Sequence, residues 1–328
     1  MVRQRHLPAI LHRPDVEILA VSNSSYETAE RFCHQHVPHA TPMKDWADLL
    51  ALEHLDVIWI GTPPYLHGTI AVSALEAGKH VFCQARMAMN LEEAEEMLEA
   101  ARHAPQLVTM LCPPPHGMKG DLFMRKLLAE ETIGPIHGVR LRSLSGQFLN
   151  PEVPAHWRQR IELSGLNVLM LGVYAEVLQR WLGPITSVQA RSKIVHPERD
   201  GYEVSIPDLL NVLCSFANGA EGVLSFSGVM AAAPGDRLEL HGRDGILTYD
   251  FSNDAIGLAY GGDATAKPLG IPEELVVDWR VEEDFFNAVR SRGQMQPRPS
   301  FEDGVSYMRV VQAVAESVTR HEEIAIDV

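Results

Sequence analysis

The chain has 328 residues, 46% hydrophobic and 22% charged, a globular composition at a length that suits two domains. A formal charge of −15 gives an acidic surface that repels phosphate backbones, which argues against a nucleic-acid partner. No run reaches the roughly 18 uninterrupted apolar residues of a membrane span; the most apolar stretch, from Leu166 to Leu178, is interrupted by Glu176. Met1 to His6 carries charge with no apolar signal core behind it. Cys33, Cys83, Cys112 and Cys214 are scattered without a Cys-x-x-Cys pair, so the chain reads as a cytoplasmic protein with reduced thiols.

Residues 14 to 112 read as alternating strands and helices. Val2 to His12 reads as a helix and Val16 to Val21 as a buried strand, followed by a polar-amphipathic helix over Ser25 to Phe32. Asp56 to Ile60 is a second strand, and Tyr65 to Ala77 a helix closed by Gly78. His80 to Cys83 is a third strand, Leu91 to Arg102 an acidic helix opened by a capping-box-like Asn90-Leu91-Glu92-Glu93, and Gln106 to Leu111 a fourth strand. This alternation predicts a parallel sheet with helices on both faces and a ligand crevice beyond the carboxyl ends of the strands. The Cys33-His34-Gln35-His36 run with His39 has metal-ligand residue types. His34 and His36 are two apart and face different directions on a helix, so the run reads as a polar helix end and no metal is expected.

A dinucleotide domain opens with a strand and Gly-x-Gly-x-x-Gly, whose backbone N–H groups meet the pyrophosphate. The first glycine here is Gly61. Two accounts stand side by side: the chain as given begins downstream of that strand and loop, or the protein does without them. On the second account, Val16 to Val21 is expected to pair directly with Asp56 to Ile60, or a strand from elsewhere to fill the place between.

From Gly134 the pattern changes to longer alternating strands joined by hairpins. Asn218-Gly219 separates Leu209 to Phe216 from Glu221 to Phe226, and Arg243-Asp244-Gly245 separates Arg237 to His241 from Ile246 to Phe251. Leu166 to Leu182 reads as one buried helix, with late helices at Val281 to Arg292 and Glu302 to Arg320. The last carries a core stripe of Val305, Met308, Val311, Ala315 and Val318. The predicted fold is a Rossmann-type α/β domain over residues 1–115, its first strand and glycine loop missing. An α+β domain with an open, mainly antiparallel sheet and helices on one face follows over residues 116–328.

Several spaced stretches together resemble the glucose–fructose oxidoreductase / inositol dehydrogenase / MocA family. They are Arg5-His6-Leu7-Pro8-Ala9-Ile10, Val16 to Val21, Gly61-Thr62-Pro63-Pro64 with His67, Ala77-Gly78-Lys79-His80-Val81-Phe82-Cys83, Asn90 to Met97, and Pro299-Ser300-Phe301-Glu302-Asp303-Gly304. The resemblance implies an NAD(P)-dependent oxidoreductase acting on a sugar, polyol or related small molecule, and a homo-oligomer formed through the second domain's sheet. It also implies a Glu-Lys-Pro motif, which here reads Gln84-Ala85-Arg86, and an Asp-x-x-x-His or Asp-x-x-x-Tyr motif, which here reads Met170 to Tyr174. The proton-transfer lysine and aspartate are therefore absent. A guanidinium stays protonated, so Arg86 is no substitute base.

By the same resemblance, Asn23, Ser24 and Ser25 edge the cofactor site, in a form that favours NADP over NAD, with Ser24 or Ser25 also suited to cap the next helix. Thr62, Pro63 and His67 line its nicotinamide side, and Gln84 belongs to the same cofactor site. Dinucleotide binding is expected to be weak or absent without the glycine loop. The catalytic candidates are Tyr174, with Arg86 supplying a nearby charge, His156 in His156-Trp157-Arg158, and His116 after three prolines. The leading expectation is a divergent oxidoreductase. A non-redox lyase or hydrolase on the same scaffold and an inactive ligand-binding or partner protein stay open as rivals. No Gly-x-Ser-x-Gly elbow supports a serine hydrolase.

Overall fold

Two units account for the chain in the computed structural model, which describes residues 2–113, 118–263, 265–292 and 294–327. The first comprises residues 1–87, 92–112 and 280–302; the second comprises 88–91, 113–279 and 303–328.

In the first unit a π-helical turn, Val2–His6, runs into α1 (Leu7–Leu11). Then come β1 (Ala20–Ser22), α2 (Tyr26–His36), β2 (Thr41–Met43), α3 (Ala47–Leu50), β3 (Val57–Ile60), α4 (His67–Glu76), β4 (His80–Cys83), α5 (Leu91–His103) and β5 (Thr109–Leu111). Ser25 starts α2 by accepting the Thr28 N–H, while the Thr28 hydroxyl accepts the Ser25 N–H, a reciprocal cap.

The expected pairing of the first strand with Asp56 to Ile60 does not occur. β1 pairs in parallel with β2 only, and β3, β4 and β5 form a separate parallel sheet. Among the described residues no strand lies between them. The strand read as Val16 to Val21 shortens to Ala20–Ser22 because its partner β2 is only three residues long.

What joins the two sheets is side-chain packing from the N-terminal segment. Leu7 packs with Cys33, Val37 and Ala40 on the β1–β2 side, with Ile18 and Val21 against the same cluster. His6, its immediate neighbour, packs edge-on to Trp59 and Phe82 of the other sheet, with ring centroids 5.1 and 5.3 Å away. Trp59 stacks on Phe82 at 3.7 Å, and Phe285 and Phe286 of α9 (Val281–Arg290) close the cluster at 5.8 and 6.0 Å from Trp59. A phenylalanine removed from water contributes about 1.5–3 kcal/mol, which is reason enough for a segment nearly 170 residues downstream of β5 to return to this unit.

The second unit is built on a nine-stranded sheet. Its strands are β6 (Ile136–Leu144), β7 (Ile185–Lys193), β10 (Leu209–Phe216), β11 (Glu221–Ser227), β12 (Gly235–Gly242), β13 (Gly245–Asp250), β14 (Ala255–Tyr260), β15 (Lys267–Leu269) and β16 (Ile324–Ala325). The order is β15-β14-β13-β12-β6-β11-β10-β7-β16, antiparallel except for β6 with β11. A short hairpin, β8 (Glu198–Arg199) with β9 (Tyr202–Glu203), stands apart. Both turn-marked hairpins form where the sequence places them, β10–β11 and β12–β13.

The helices are α6 (Asp121–Ala129), α7 (Ile161–Ser164), α8 (Leu171–Leu182) and α10 (Phe301–Arg320). Ten of the twelve α8 residues are buried, Glu176 among them. Its charge is met by Arg180, which also donates to Asp121 at 2.6 Å; the Trp181 indole donates to the same Asp121 oxygen at 2.7 Å. Burial still holds the Glu176 carboxyl above its usual range.

The helix read from Leu166 begins only at Leu171. Leu169 takes φ +46°, and the Asn167 side chain donates to the Ser164 carbonyl at 2.7 Å and to the Ala88 carbonyl at 2.8 Å, which ties residues 164–169 into a loop. Gly165 in that loop has φ +59° and ψ −137°, and a Cβ there would stand 2.2 Å from the Met89 carbonyl oxygen. Gly165→Ala is therefore expected to cost about 1–3 kcal/mol from backbone strain alone. Thermal unfolding of the variant should show a fall of several degrees, and an unchanged midpoint would contradict this account of the loop.

Candidate functional site

Parallel strands bind ligands beyond their carboxyl ends, so the first unit's candidate groups are those following β1, β3 and β4. After β1, the Asn23 side-chain oxygen accepts the Ser24 N–H at 2.8 Å and Ser25 caps α2. Asn23 and Ser24 are exposed, Ser25 half-buried. After β3, Gly61 and Thr62 lead through Pro63 into a 3-10 turn, Pro64–Leu66, and then α4. The Thr62 hydroxyl is buried with no hydrogen-bond partner among the described residues. The Val2 side chain sits on Gly61, 2.5 Å from where a Cβ would stand.

His67 is fully buried and holds two loops together. Its Nδ1 lies 2.9 Å from the Arg86 carbonyl and 3.1 Å from that of Met87, and its Nε2 lies 2.8 Å from the Thr62 carbonyl. The neutral ring has one N–H, so it donates on one side only, and it sits wedged between the Thr62–Pro64 turn and the segment that follows β4. Burial pulls the imidazole below its usual pKa, with the three carbonyls opposing and Arg86 assisting the fall. Arg86 itself is buried.

Gln84, expected at the cofactor site, is turned to the interior. Its amide nitrogen lies 2.6 Å from His6 Nε2, and His6 Nδ1 meets the Glu282 carboxylate. These contacts are mutually consistent when the amide donates to Nε2 and Nδ1–H donates to Glu282. Cys112 Sγ lies 3.8 Å from the same Nε2, and burial pushes its thiol up to about 12. All four cysteines are free and buried.

In the second unit the candidates stand on α8 and the loops before it. Met170 caps α8 and its carbonyl accepts the Tyr174 N–H, so the two residues share a helix face as the four-residue spacing requires. The Tyr174 ring is buried against Phe251 (4.8 Å) and Phe226 (6.5 Å). Its hydroxyl donates to Asp236 at 2.5 Å. Burial, and then the Asp236 charge, drive the phenol pKa upward, so it stays protonated.

His156 begins the 3-10 turn Trp157–Gln159. Its Nδ1 accepts the Arg158 N–H at 3.2 Å, which leaves the proton of the neutral ring on Nε2. Burial, helped by Arg158, lowers its pKa. The Arg158 guanidinium lies 4.2 Å over the Trp157 ring. His116 lies outside the described residues.

His6, Glu282, Asn167 and Asp236 make structural contacts that no local sequence pattern singles out. His6 and Glu282 are 276 positions apart, which no local pattern connects. Asp236 offered one weak signal, an acid directly after Pro234-Gly235 at the start of a strand. Among the described residues no group of three or more His, Cys, Asp or Glu could hold a metal ion, and no helix is long and apolar enough to cross a membrane.

Comparison with known proteins gives a consistent picture. Residues 1–111 match the GFO/IDH/MocA oxidoreductase family with its NAD-binding Rossmann fold, and residues 122–248 match the GFO/IDH/MocA C-terminal domain. A levoglucosan dehydrogenase of Pseudarthrobacter phenanthrenivorans is 24% identical, over 94% of this chain and 88% of its own. An NADP-dependent scyllo-inositol 2-dehydrogenase of Bacillus subtilis is 25% identical, over 95% and 92%. The crystal structure of an oxidoreductase domain protein from Kribbella flavida superposes with a TM-score of 0.84 at 25% identity, covering 95% of this chain and 91% of that one.

The folded state resists protonation of His67, and this has a measurable sign. The unfolded ring takes up its proton near pH 6.5, about the ordinary value, and the folded ring only at lower pH. Between those limits the unfolded chain binds the extra proton, so stability falls as the solution is acidified through that window. Urea unfolding at steps from pH 7.5 to 5 should show a shallower decline for His67→Gln than for the parent; identical slopes would contradict the assignment.

Proposed function

The chain belongs to the GFO/IDH/MocA family of oxidoreductases, and on that premise we propose that it is a divergent sugar- or polyol-directed member whose proton-transfer groups have been replaced. The observation that carries this reading is the extent of the likeness to the levoglucosan and scyllo-inositol dehydrogenases, which takes in more than nine-tenths of the chain. A cytoplasmic homo-oligomer, with 1–115 as its cofactor half and 116–328 as its substrate and assembly half, belongs to the same proposal.

The fit of a nicotinamide cofactor is partial. Asn23, Ser24 and Ser25 suit the ribose edge, without the carboxylate that would repel a 2′-phosphate, and the unpartnered Thr62 hydroxyl suits a ligand at the end of β3. Pro63 fixes the turn that presents it. The pyrophosphate has no glycine cradle upstream of Gly61, and the Gln84 side chain is occupied by His6. When bound, such a cofactor supplies hydride exchange with a carbon bearing a hydroxyl or carbonyl group.

What this chain's residues do is bind and orient. His67 fixes the loop carrying Ala85 and Arg86. The Trp157–Arg158 stack and His156 offer a planar apolar face with hydrogen-bonding edges, the combination that suits a sugar ring. Ala85 and Met170 carry no titratable group, which is the specific reason for a second reading, a non-redox enzyme or ligand-binding protein on the same scaffold.

The test is NADP and NAD reduction over a panel of sugars and polyols, by the parent and by the double variant Ala85→Lys/Met170→Asp, with calorimetric titration of each nucleotide alongside. The parent is expected to bind both nucleotides more weakly than low-micromolar and to turn over slowly. The double variant is expected to gain part of the roughly 10²–10⁴-fold that acid–base groups supply. Low-micromolar nucleotide binding by the parent would overturn the weak-binding expectation. Absence of turnover in both proteins would favour the non-redox reading.

A further inference from the structure

We infer that the β8–β9 hairpin holds the loop of residues 145–160 in its binding shape, with Arg199 and Tyr202 as positioning residues for His156, Trp157 and Arg158. The inference rests on the functional reading above, which gives those three side chains to the ligand, and adds to it the device that sets their place.

The loop joins β6 to α7 with a single 3-10 turn of its own. A connection of that length is costly to order and is commonly functional. The carbonyls of Phe148, Asn150 and Val153 accept no backbone N–H among the described residues. Arg199 meets all three. Its guanidinium donates to the Phe148 carbonyl, to that of Asn150 at 2.6 Å and to that of Val153 at 3.3 Å. The side chain is buried, and no carboxylate meets it among the described residues. A buried guanidinium without a counter-charge is expensive, and an apolar residue would fill the same space without that cost. What a fork of donors adds is the power to gather several carbonyls from an irregular stretch.

Tyr202 makes the second attachment. Its hydroxyl accepts the Ile161 N–H at 3.3 Å and donates to Glu162 at 2.7 Å, and the Arg160 guanidinium lies 4.9 Å over its ring. Arg199 and Tyr202 are opposed across the hairpin, so their side chains project to one face. Asp200 and Gly201 between them take φ +49° and +73°, as a tight two-residue hairpin turn requires. The hairpin pairs with no strand of the nine-stranded sheet, and a lone two-stranded ribbon is marginal by itself. Loop and hairpin therefore order one another. Buried Arg199 fixes the entry to the loop, the solvent-facing Tyr202 cluster fixes its exit, and His156 with the Trp157–Arg158 stack stands between.

The experiment uses the full chain, with levoglucosan and scyllo-inositol titrated calorimetrically as probes and unliganded melting followed in parallel. Arg199→Lys keeps a charge and a long stem but loses the fork, and is expected to weaken the bound probe by about 10-fold. Tyr202→Phe keeps the ring and loses the hydroxyl, and should weaken it by about 3-fold. Asn211→Ala, on an exposed position of β10, should bind as the parent does. Trypsin should cut after Arg158 and Arg160 about 10-fold faster in Arg199→Lys than in the parent, because the loop opens locally. Should Arg199→Lys fail to fold, Tyr202→Phe decides by the same criteria. A hairpin that serves folding alone would lower the melting temperature of the variants and leave probe affinity at the parent's value. That result, or unchanged cleavage, overturns this inference alone. A parent that binds neither probe overturns the functional reading and this inference with it.

Discussion

The first unit depends on a join made by side chains where a backbone ladder would be expected. A strand between β1 and β3 would satisfy its neighbours along both edges at once, and the described chain has none there. The π-helical turn and α1 stand in by placing consecutive residues on either side: Leu7 into the cluster around Cys33 and Val37, His6 against Trp59 and Phe82. Packing of this kind is non-directional, so its geometry is fixed by the polar contacts of one ring. His6 has Glu282 on one nitrogen and Gln84 on the other. The crevice loops inherit that order, because Gln84 opens the segment whose next carbonyls His67 holds.

The second unit solves a different problem, a helix buried on nearly every side that carries a glutamate and an arginine. Arg180 meets both Glu176 and Asp121, and the Trp181 indole shares Asp121, so the cationic charge is answered by two carboxylates and a hydrogen-bonded frame. Such a network tethers α8 to α6, and truncating one member would leave a buried charge unanswered. With its last turn held there and its first turn held by the Met170 carbonyl and by Tyr174 on Asp236, α8 is fixed at both ends.

Local chemistry was legible in the sequence wherever one element decides the outcome. Asn218-Gly219 set the β10–β11 register, Gly78 closed α4, and Ser25 capped α2 with no tertiary help. The alternation of strands and helices, and the switch to hairpins after Gly134, carried the two fold classes. Long-range events were not legible. The Asn167 side chain, by donating to the Ala88 carbonyl 79 positions away, delays α8 by five residues against an apolar run that reads as continuous helix. His6 lies in the Arg5–Ile10 stretch that carries the family likeness, yet its partner Glu282 belongs to a helix whose local pattern shows only an amphipathic stripe. Of the site, the missing lysine and aspartate were plain from Ala85 and Met170. The Tyr174–Asp236 hydrogen bond joins residues 62 positions apart, which no local pattern connects.

The return of Arg280–Glu302 to the first unit bears on the order in which the protein is made. Trp59 and Phe82 emerge early in synthesis, but the aromatic pair that covers them, Phe285 and Phe286, is translated only after eight of the nine strands of the second unit's sheet. Domains generally fold as units as the chain emerges. Here the unit that begins first cannot finish until most of the one that begins second has been made. Through that interval the Trp59–Phe82 stack lacks its cover, which exposes an apolar surface to whatever the nascent chain meets.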